Sequence, residues 1–109
     1  MKINIKSTHI ELTENIKEFI KEKIGSCEKF INTKFAVEVY FEIEKTTMHH
    51  RKGKIYRAEA NFVLPGKLLR AEATEKDIYI AIDQVKDKIQ RELKKYKEIK
   101  KYEASKSSK

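Results

Sequence analysis

Apolar residues in the C-terminal third of the chain recur at spacings of three and four, the period of an amphipathic helix. Polar and basic residues recur on roughly the opposite side of the same segment. Thr74 and Asp77 precede it with the spacing of a capping box, so the helix is predicted to start there and to run as far as Tyr102. The apolar stripe consists of Ile78, Ile82, Val85, Ile89, Leu93 and Tyr96, and the opposite row of Gln84, Lys88, Arg91 and Lys95.

A second amphipathic helix is predicted near the N-terminus. Thr13 is a suitable N-cap, and Glu14 in the first turn favours the positive end of the helix dipole. Asn32 and Thr33 are predicted to end this helix after about five turns, although Gly25 weakens it locally. Its apolar stripe comprises Ile16, Phe19, Ile20, Ile24, Cys27 and Ile31.

Four segments alternate apolar and polar residues, the pattern of strands with one buried face. Pro65 and Gly66 fit the central positions of a type II turn between the last two. The predicted fold is α+β in the order β-α-β-β-β-α, with both helices on the apolar side of a four-stranded mixed sheet. A right-handed crossover makes the first two strands parallel, and hairpins make the others antiparallel. The segments are 2–7, 36–45, 54–64 and 67–74.

Net charge favours a polyanionic partner. The 109 residues carry a formal charge of +8, with a pI of about 9.5. Residues 76–109 hold 11 basic and 6 acidic side chains, which is +5 of that excess. Nucleic acid is the first expectation and a membrane surface the second.

The chain has one cysteine, Cys27, so an internal disulfide is excluded and a reducing compartment is favoured. Its apolar neighbours predict a buried side chain rather than a reactive thiol. No stretch resembles a membrane span or a signal peptide, which predicts a cytoplasmic protein without a membrane partner. Residues 1–100 are predicted to form one domain and residues 101–109 a basic flexible tail.

The row Lys88, Arg91 and Lys95 is the first candidate binding site for phosphate groups. Cations along a rigid helix can each neutralise a phosphate and release a counterion. Lys86, Lys94 and Lys97 flank the row. The alternative is an ordinary solvated helix surface. The net charge and the basic continuation of the chain favour binding.

The open face of the predicted sheet is acidic and would repel phosphate. An RNA recognition motif stacks bases on sheet aromatics, whereas this face offers only Tyr40 as an aromatic side chain. RNA binding is therefore predicted to use the helices and to read backbone and shape. The charged side chains are Glu38, Glu42, Glu44, Glu59 and Glu72, with Arg57 and Arg70.

Enzymatic and metal chemistry find little support in the sequence. No Gly-rich phosphate loop, nucleophile elbow or isolated carboxylate pair is present, so no catalytic residue, small-molecule substrate or cofactor is predicted. The loop MHHRKG places two histidines side by side but contains no further ligand, which favours a solvated loop or a phosphate contact over a metal site. His9 is expected to be structural.

These segments resemble the ribosome hibernation-promoting factors, also called ribosome-associated inhibitors. The resemblance covers residues 1 to about 100 and is most specific in LRAEATEKDIYIAIDQVKDKIQRELKKYK. It is carried by Leu69-Arg70-Ala71-Glu72, Asp77-Ile78-Tyr79, Ala81-Ile82-Asp83 and Asp87-Lys88-Ile89, followed by Arg91, Leu93 and Lys95. The opening IELTENIKEFIKEKIGSCEKF also matches, through Thr13, Ile20, Lys23, Ile24 and Glu28-Lys29-Phe30.

The resemblance implies a β-α-β-β-β-α fold similar to double-stranded RNA-binding domains. It also implies binding to the small ribosomal subunit of the 70S ribosome, in the channel of mRNA and tRNA, and inhibition of translation during starvation. The free protein is expected to be a monomer. The residues expected to face 16S-type rRNA are Lys23, Lys29, Arg70, Lys86, Lys88, Arg91, Lys94 and Lys95, with Arg70 on the open sheet face.

Two features depart from the family pattern. The hairpin KTTMHHRKGKIY is longer and more basic than expected, and the sequence stops at Lys109, as a short member or a piece of a long one would. Two other functions remain open. One is a free-standing double-stranded RNA-binding module, and the other is a protein-interaction regulator that uses the acidic sheet face.

Overall fold

The computed structural model describes residues 1–31, 37–46 and 55–107, with side chains as far as residue 98. The elements follow the predicted order, and a short 3-10 helix, Ser26–Phe30, continues the first helix. Strands and helices are β1 Lys2–Thr8, α1 Glu14–Gly25, β2 Glu38–Lys45, β3 Tyr56–Leu64, β4 Lys67–Glu75 and α2 Ile78–Ser107.

The sheet has the strand order β1-β2-β3-β4, which confirms the predicted α+β fold. β1 and β2 are parallel, with Ile3 opposite Val39. β2 pairs antiparallel with β3, and β3 with β4. At the β3–β4 turn, Gly66 has φ 70°, the left-handed conformation that a type II turn requires at this position.

α1 begins as predicted and ends earlier. The Thr13 hydroxyl accepts a hydrogen bond from the Ile16 amide at 3.2 Å, which confirms the N-cap. The prediction of about five turns is wrong for an α-helix, because regular geometry stops at Gly25. The Ser26 hydroxyl donates to the Lys23 carbonyl at 2.6 Å, a local bond that competes with the helical ladder where glycine has already weakened it.

Removing the Thr13 cap should destabilise the protein. We expect Thr13→Ala to lower the free energy of unfolding by about 1 kcal/mol, because the Ile16 amide loses its acceptor. Thr13→Ser keeps the hydroxyl and should stay close to the wild type. Urea unfolding followed by circular dichroism measures both, and an alanine variant as stable as the serine variant would show that the cap contributes nothing.

α2 begins with a different cap from the one predicted. Asp77 accepts a hydrogen bond from the Tyr79 amide at 2.7 Å through its side chain, and one from the Ala81 amide at 3.1 Å through its carbonyl. Thr74 belongs to β4, where it pairs with Arg57, so the capping box is wrong and Asp77 caps the helix by itself. The helix continues through Ser107, so residues 101–107 of the predicted tail are helical.

The core lies between the sheet and the two helices. Alternate strand residues point into it, among them Phe41 and Phe62, and the predicted stripes of both helices cover them. Tyr96 lies at its margin and donates a hydrogen bond to the Pro65 carbonyl at 3.2 Å, which ties α2 to the β3–β4 turn. Every buried residue in the described part of the chain is apolar or, in Cys27, a thiol. None of the described helices is long and apolar enough to cross a membrane.

Candidate nucleic-acid interface

The open sheet face carries charges that neutralise one another. The Arg57 guanidinium contacts carboxylate oxygens of Glu59 and Glu72, each at 2.6 Å, and of Glu42 at 3.7 Å. Arg70 contacts Glu59 at 2.6 Å and Glu72 at 3.6 Å. Cross-strand pairs of this kind hold a sheet together. Three of the five glutamates of the predicted acidic face, Glu42, Glu59 and Glu72, therefore belong to a network of ion pairs, and Arg70 is engaged within it.

Glu59 is at the centre of this network, with a side chain only 15% exposed. Burial acts to raise the pKa of Glu59. Hydrogen bonds from Asn61 and Arg70, together with the charges of Arg57 and Arg70, outweigh burial and hold the pKa below its usual value. The network thus favours the ionised carboxylate.

The lowered pKa of Glu59 predicts a pH-dependent contribution to stability. The folded state binds the proton less tightly than the unfolded state, so the contribution is present above the unfolded pKa and is lost as the pH falls through the folded pKa. Glu59→Gln should therefore lower stability at pH 7 and flatten its dependence on pH in the acidic range. Urea unfolding between pH 7 and acid tests this, and parallel profiles for variant and wild type would contradict it.

The predicted basic row on α2 lies along the edge of the sheet. The Lys88 ammonium donates to the Glu72 carbonyl of β4 at 2.7 Å, which places this part of the row beside β4. Lys95 lies 3.7 Å from Glu92 of the same helix. Arg91 is exposed, and no contact to its side chain is found among the described residues. The row therefore retains one fully available cation and two that have local partners.

On its other side α2 faces α1 across a chain of charges. Lys86 lies 3.4 Å from Asp83 and 2.8 Å from Asp87, and Lys23 of α1 lies 3.6 Å from Asp83. The hydrogen bond to Asp87 raises the pKa of Lys86. Because the Lys86 side chain is only 18% exposed, it is the least available of the predicted binding residues. This series of ion pairs links α1 and α2 where the two helices pack together.

Three aromatic residues line the same side of the helices, and the sequence reasoning did not assign them to the interface. Lys23 lies 5.4 Å from the centre of the Phe19 ring, and Phe19 meets Tyr79 edge to face at 5.0 Å. The ring of Phe30 is approached by the Lys29 ammonium at 5.3 Å and the Lys94 ammonium at 5.2 Å. The adjacent Lys29 and Phe30 in the sequence could have suggested a cation beside an aromatic ring. The contact between Phe30 and Lys94 of α2 could not have been predicted from the sequence.

Energetics favour the gathering of two cations at Phe30. Each cation–π contact at an exposed site contributes about 0.5–1 kcal/mol. At about 10.5 Å, the largest separation that the two ring distances allow, the ammonium groups would repel each other by about 0.4 kcal/mol in water, and a shorter separation raises this repulsion. Near this limit the two cation–π contacts offset the repulsion between the two charges. Among the described residues neither lysine has a carboxylate partner within ion-pair distance.

The structure thus divides the predicted rRNA-binding residues by their surroundings. Lys23, Lys86, Lys95 and Arg70 have carboxylate partners, and Lys88 has a carbonyl partner. Lys29, Lys94 and Arg91 have no such partner within the described ranges. All except Arg70 lie on α1, α2 or the 3-10 helix, so the structure gathers seven of the eight on the helical side.

The sequence singled out two further features, Cys27 and the MHHRKG loop. Cys27 is buried, and burial raises the pKa of its thiol to about 11, so the thiol stays protonated at neutral pH. The histidines of the MHHRKG loop lie outside the described residues. Within those that are described, no three His, Cys, Asp or Glu side chains form a group that could hold a metal ion.

Comparison with known proteins gives relatives over nearly the whole chain. The family model described as Sigma 54 modulation protein / S30EA ribosomal protein matches residues 3–101. A ribosome hibernation promoting factor of Pseudomonas putida is 33% identical over 98 residues, covering 90% of this chain and 88% of the relative. One from Escherichia coli K12 is 31% identical, covering 90% and 95%.

The Lactococcus lactis ribosome hibernation promotion factor is 34% identical over 99 residues, and the chain spans half of its length (50%) and 89% of its own. Among solved structures, the N-terminal domain of Thermus thermophilus Protein Y has the same fold, with a TM-score of 0.74 at 24% identity over 88% of this chain and 99% of that one. A ribosomal subunit interface protein from Coxiella burnetii gives 0.70 at 21% identity over 89% and 98%.

The family model covers most of the chain, and relatives above 30% identity are matched over most of their own lengths. The resemblance found in the sequence is thereby confirmed. This chain belongs to the Sigma 54 modulation protein / S30EA ribosomal protein family, together with proteins named ribosome hibernation promoting factor.

Proposed function

We propose that this protein is a ribosome hibernation factor that binds the small ribosomal subunit in the mRNA/tRNA channel and inhibits translation under stress or starvation. Family membership and the names of the relatives support the hibernation role. The observation that carries the mode of binding is the contrast between the two sides of the fold. Charges on the open sheet face pair with one another, whereas Lys29, Arg91 and Lys94 on the helical side have no carboxylate partner among the described residues.

The mechanism is steric occlusion without covalent chemistry or a cofactor. The helical side would lie against 16S-type rRNA, and its cations would neutralise phosphates and release their counterions. Lys29, Arg91 and Lys94 would bind first, because they have no carboxylate to leave. Lys23, Lys86, Lys88 and Lys95 would have to exchange a local partner for a phosphate, and Arg70 would have to leave the sheet network.

Residues 1–100 would act as the ribosome-binding domain, and the basic helical continuation would extend the contact. Binding to rRNA would take place in the cytoplasm, and the free protein would be a monomer. The ion pairs of the open sheet face weigh against a regulator that attracts basic partners there, since Arg57 and Arg70 offset much of its negative charge.

Competition on purified small subunits tests the occlusion mechanism. The protein should co-sediment with vacant subunits at low salt, where phosphate contacts are strongest, and much less with subunits loaded with mRNA and tRNA. A naked RNA duplex in excess should not displace it. Equal binding to vacant and loaded subunits would contradict occlusion, and displacement by the duplex would favour a free-standing double-stranded RNA-binding module.

A further inference from the structure

We propose that Lys29, Phe30 and Lys94 form a clamp for the phosphodiester backbone of RNA, in which the two lysines bind phosphate and Phe30 positions them. The inference rests on the proposed function for the identity of the RNA. It adds a positioning residue that makes no polar contact itself and a pair of cations that act together.

The geometry brings the two ammonium groups to one ring from different elements. Lys29 lies on the 3-10 helix after α1, and Lys94 lies on α2. Their nitrogens are 5.3 and 5.2 Å from the centre of the Phe30 ring, so they are no more than about 10.5 Å apart, the sum of the two distances. Cations within that distance of each other can bind neighbouring phosphates of one RNA strand.

The surroundings leave the pair with unbalanced positive charge. Both lysines are exposed, while Phe30 is half-buried against the core. Lys23 and Lys86, farther along the same side of the helices, have Asp83 or Asp87 as partners. Among the described residues Lys29 and Lys94 have only the ring, so an anion is the ligand that would complete the site.

The arrangement around the Phe30 ring favours contact with the RNA backbone over contact with the bases. Two ammonium groups already approach Phe30, which makes it a poor platform for a stacked base. The clamp should therefore bind backbone without preference for sequence. Because the ring holds both lysines before the ligand arrives, less side-chain freedom is lost on binding.

Double-mutant analysis on small subunits tests the coupling. Lys29→Gln and Lys94→Gln should each weaken binding about tenfold, and the double variant by much less than the hundredfold product of independent effects. Together they should lower the slope of log affinity against log salt by one to two released counterions, about 0.7–0.9 each.

Lys2→Gln removes an exposed charge on the opposite sheet face and should change affinity less than about twofold. Additive effects of the two lysine variants would overturn the clamp.

Variants at Phe30 separate positioning from folding. Phe30→Tyr keeps the ring and should preserve the coupling between the lysines, whereas Phe30→Leu keeps an apolar side chain without the ring and should abolish it. Thermal melting of each variant identifies any loss of fold. Coupling that persists in Phe30→Leu would show that the ring has no positioning role.

Titration with a mixed-sequence RNA of 12 nucleotides tests the clamp without the ribosome. The ammonium NMR signals of Lys29 and Lys94 should shift together with one midpoint, and that of Lys2 should stay unchanged. Different midpoints, or no shift of either lysine, would overturn the clamp. If wild-type protein fails to bind small subunits, the proposed function fails, while this titration still decides whether the clamp exists.

Discussion

Reversing the charge of Lys29, Arg91 and Lys94 to Glu should weaken binding to small ribosomal subunits by about a hundredfold or more. Each substitution removes a cation that has no carboxylate partner among the described residues and places a carboxylate next to phosphate. A loss of about 1.4 kcal/mol corresponds to a factor of ten. Arg91 supplies one such factor, and Lys29 and Lys94, whose effects are coupled and less than additive, together supply at least another. Co-sedimentation or fluorescence anisotropy with labelled protein at several salt concentrations measures it.

A matched control carries the same change in net charge on other surfaces. Lys2 and Lys6 are exposed on the open face of β1, and Lys45 is exposed at the C-terminal end of β2, so none of the three lies on α1, α2 or the 3-10 helix. Their replacement by Glu should weaken binding through long-range electrostatics alone, which salt screens, and by less than about tenfold. If the two triple variants lose the same affinity at moderate salt, binding depends on net charge rather than on the helical surface.

Phe62→Ala should lower the free energy of unfolding by about 3–5 kcal/mol. Phe62 belongs to β3, one of the two central strands, and its side chain has no exposure to solvent. Removing the ring loses its transfer free energy and leaves a cavity between the sheet and the helices. In a domain of this size such a loss removes a large part of the total stability. Chemical denaturation of both proteins under identical conditions gives the difference.

The neighbouring residue gives the matched comparison. Val63 follows Phe62 along the strand, faces the open side of the sheet and is 44% exposed. Val63→Ala should cost about 0.5 kcal/mol or less, because little packing is lost. Similar losses for the two variants would mean that the core does not lie on the side of the sheet covered by the helices.

Strand pairing and the buried faces could be predicted from sequence because they follow from simple periods. Alternation over 54–64 places Ala58, Ala60 and Phe62 on one side whatever lies around them, and all three are buried. The α2 stripe is buried for the same reason, at a period of 3.6. The crossover and the hairpin-length connections also predicted the strand directions, and the observed pairing is parallel for β1 and β2 and antiparallel for the others, as predicted.

Helix ends and side-chain partners could not be predicted from the periodicity of the sequence. Thr74 has capping chemistry at a suitable spacing, but β4 continues through it and Asp77 provides the cap. The ion pairs of Arg57 join strands, and the approach of Lys94 to Phe30 joins α2 to the 3-10 helix. Such contacts depend on tertiary packing, so sequence showed the cations without showing which of them have carboxylate partners.

A density map of the protein on small ribosomal subunits would show whether it fills the mRNA/tRNA channel. We expect density for the domain in that channel, with Lys29, Arg91 and Lys94 against rRNA phosphates and the Arg57 network turned away from the RNA. A domain bound outside the channel, or one with its open sheet face against the rRNA, would contradict it.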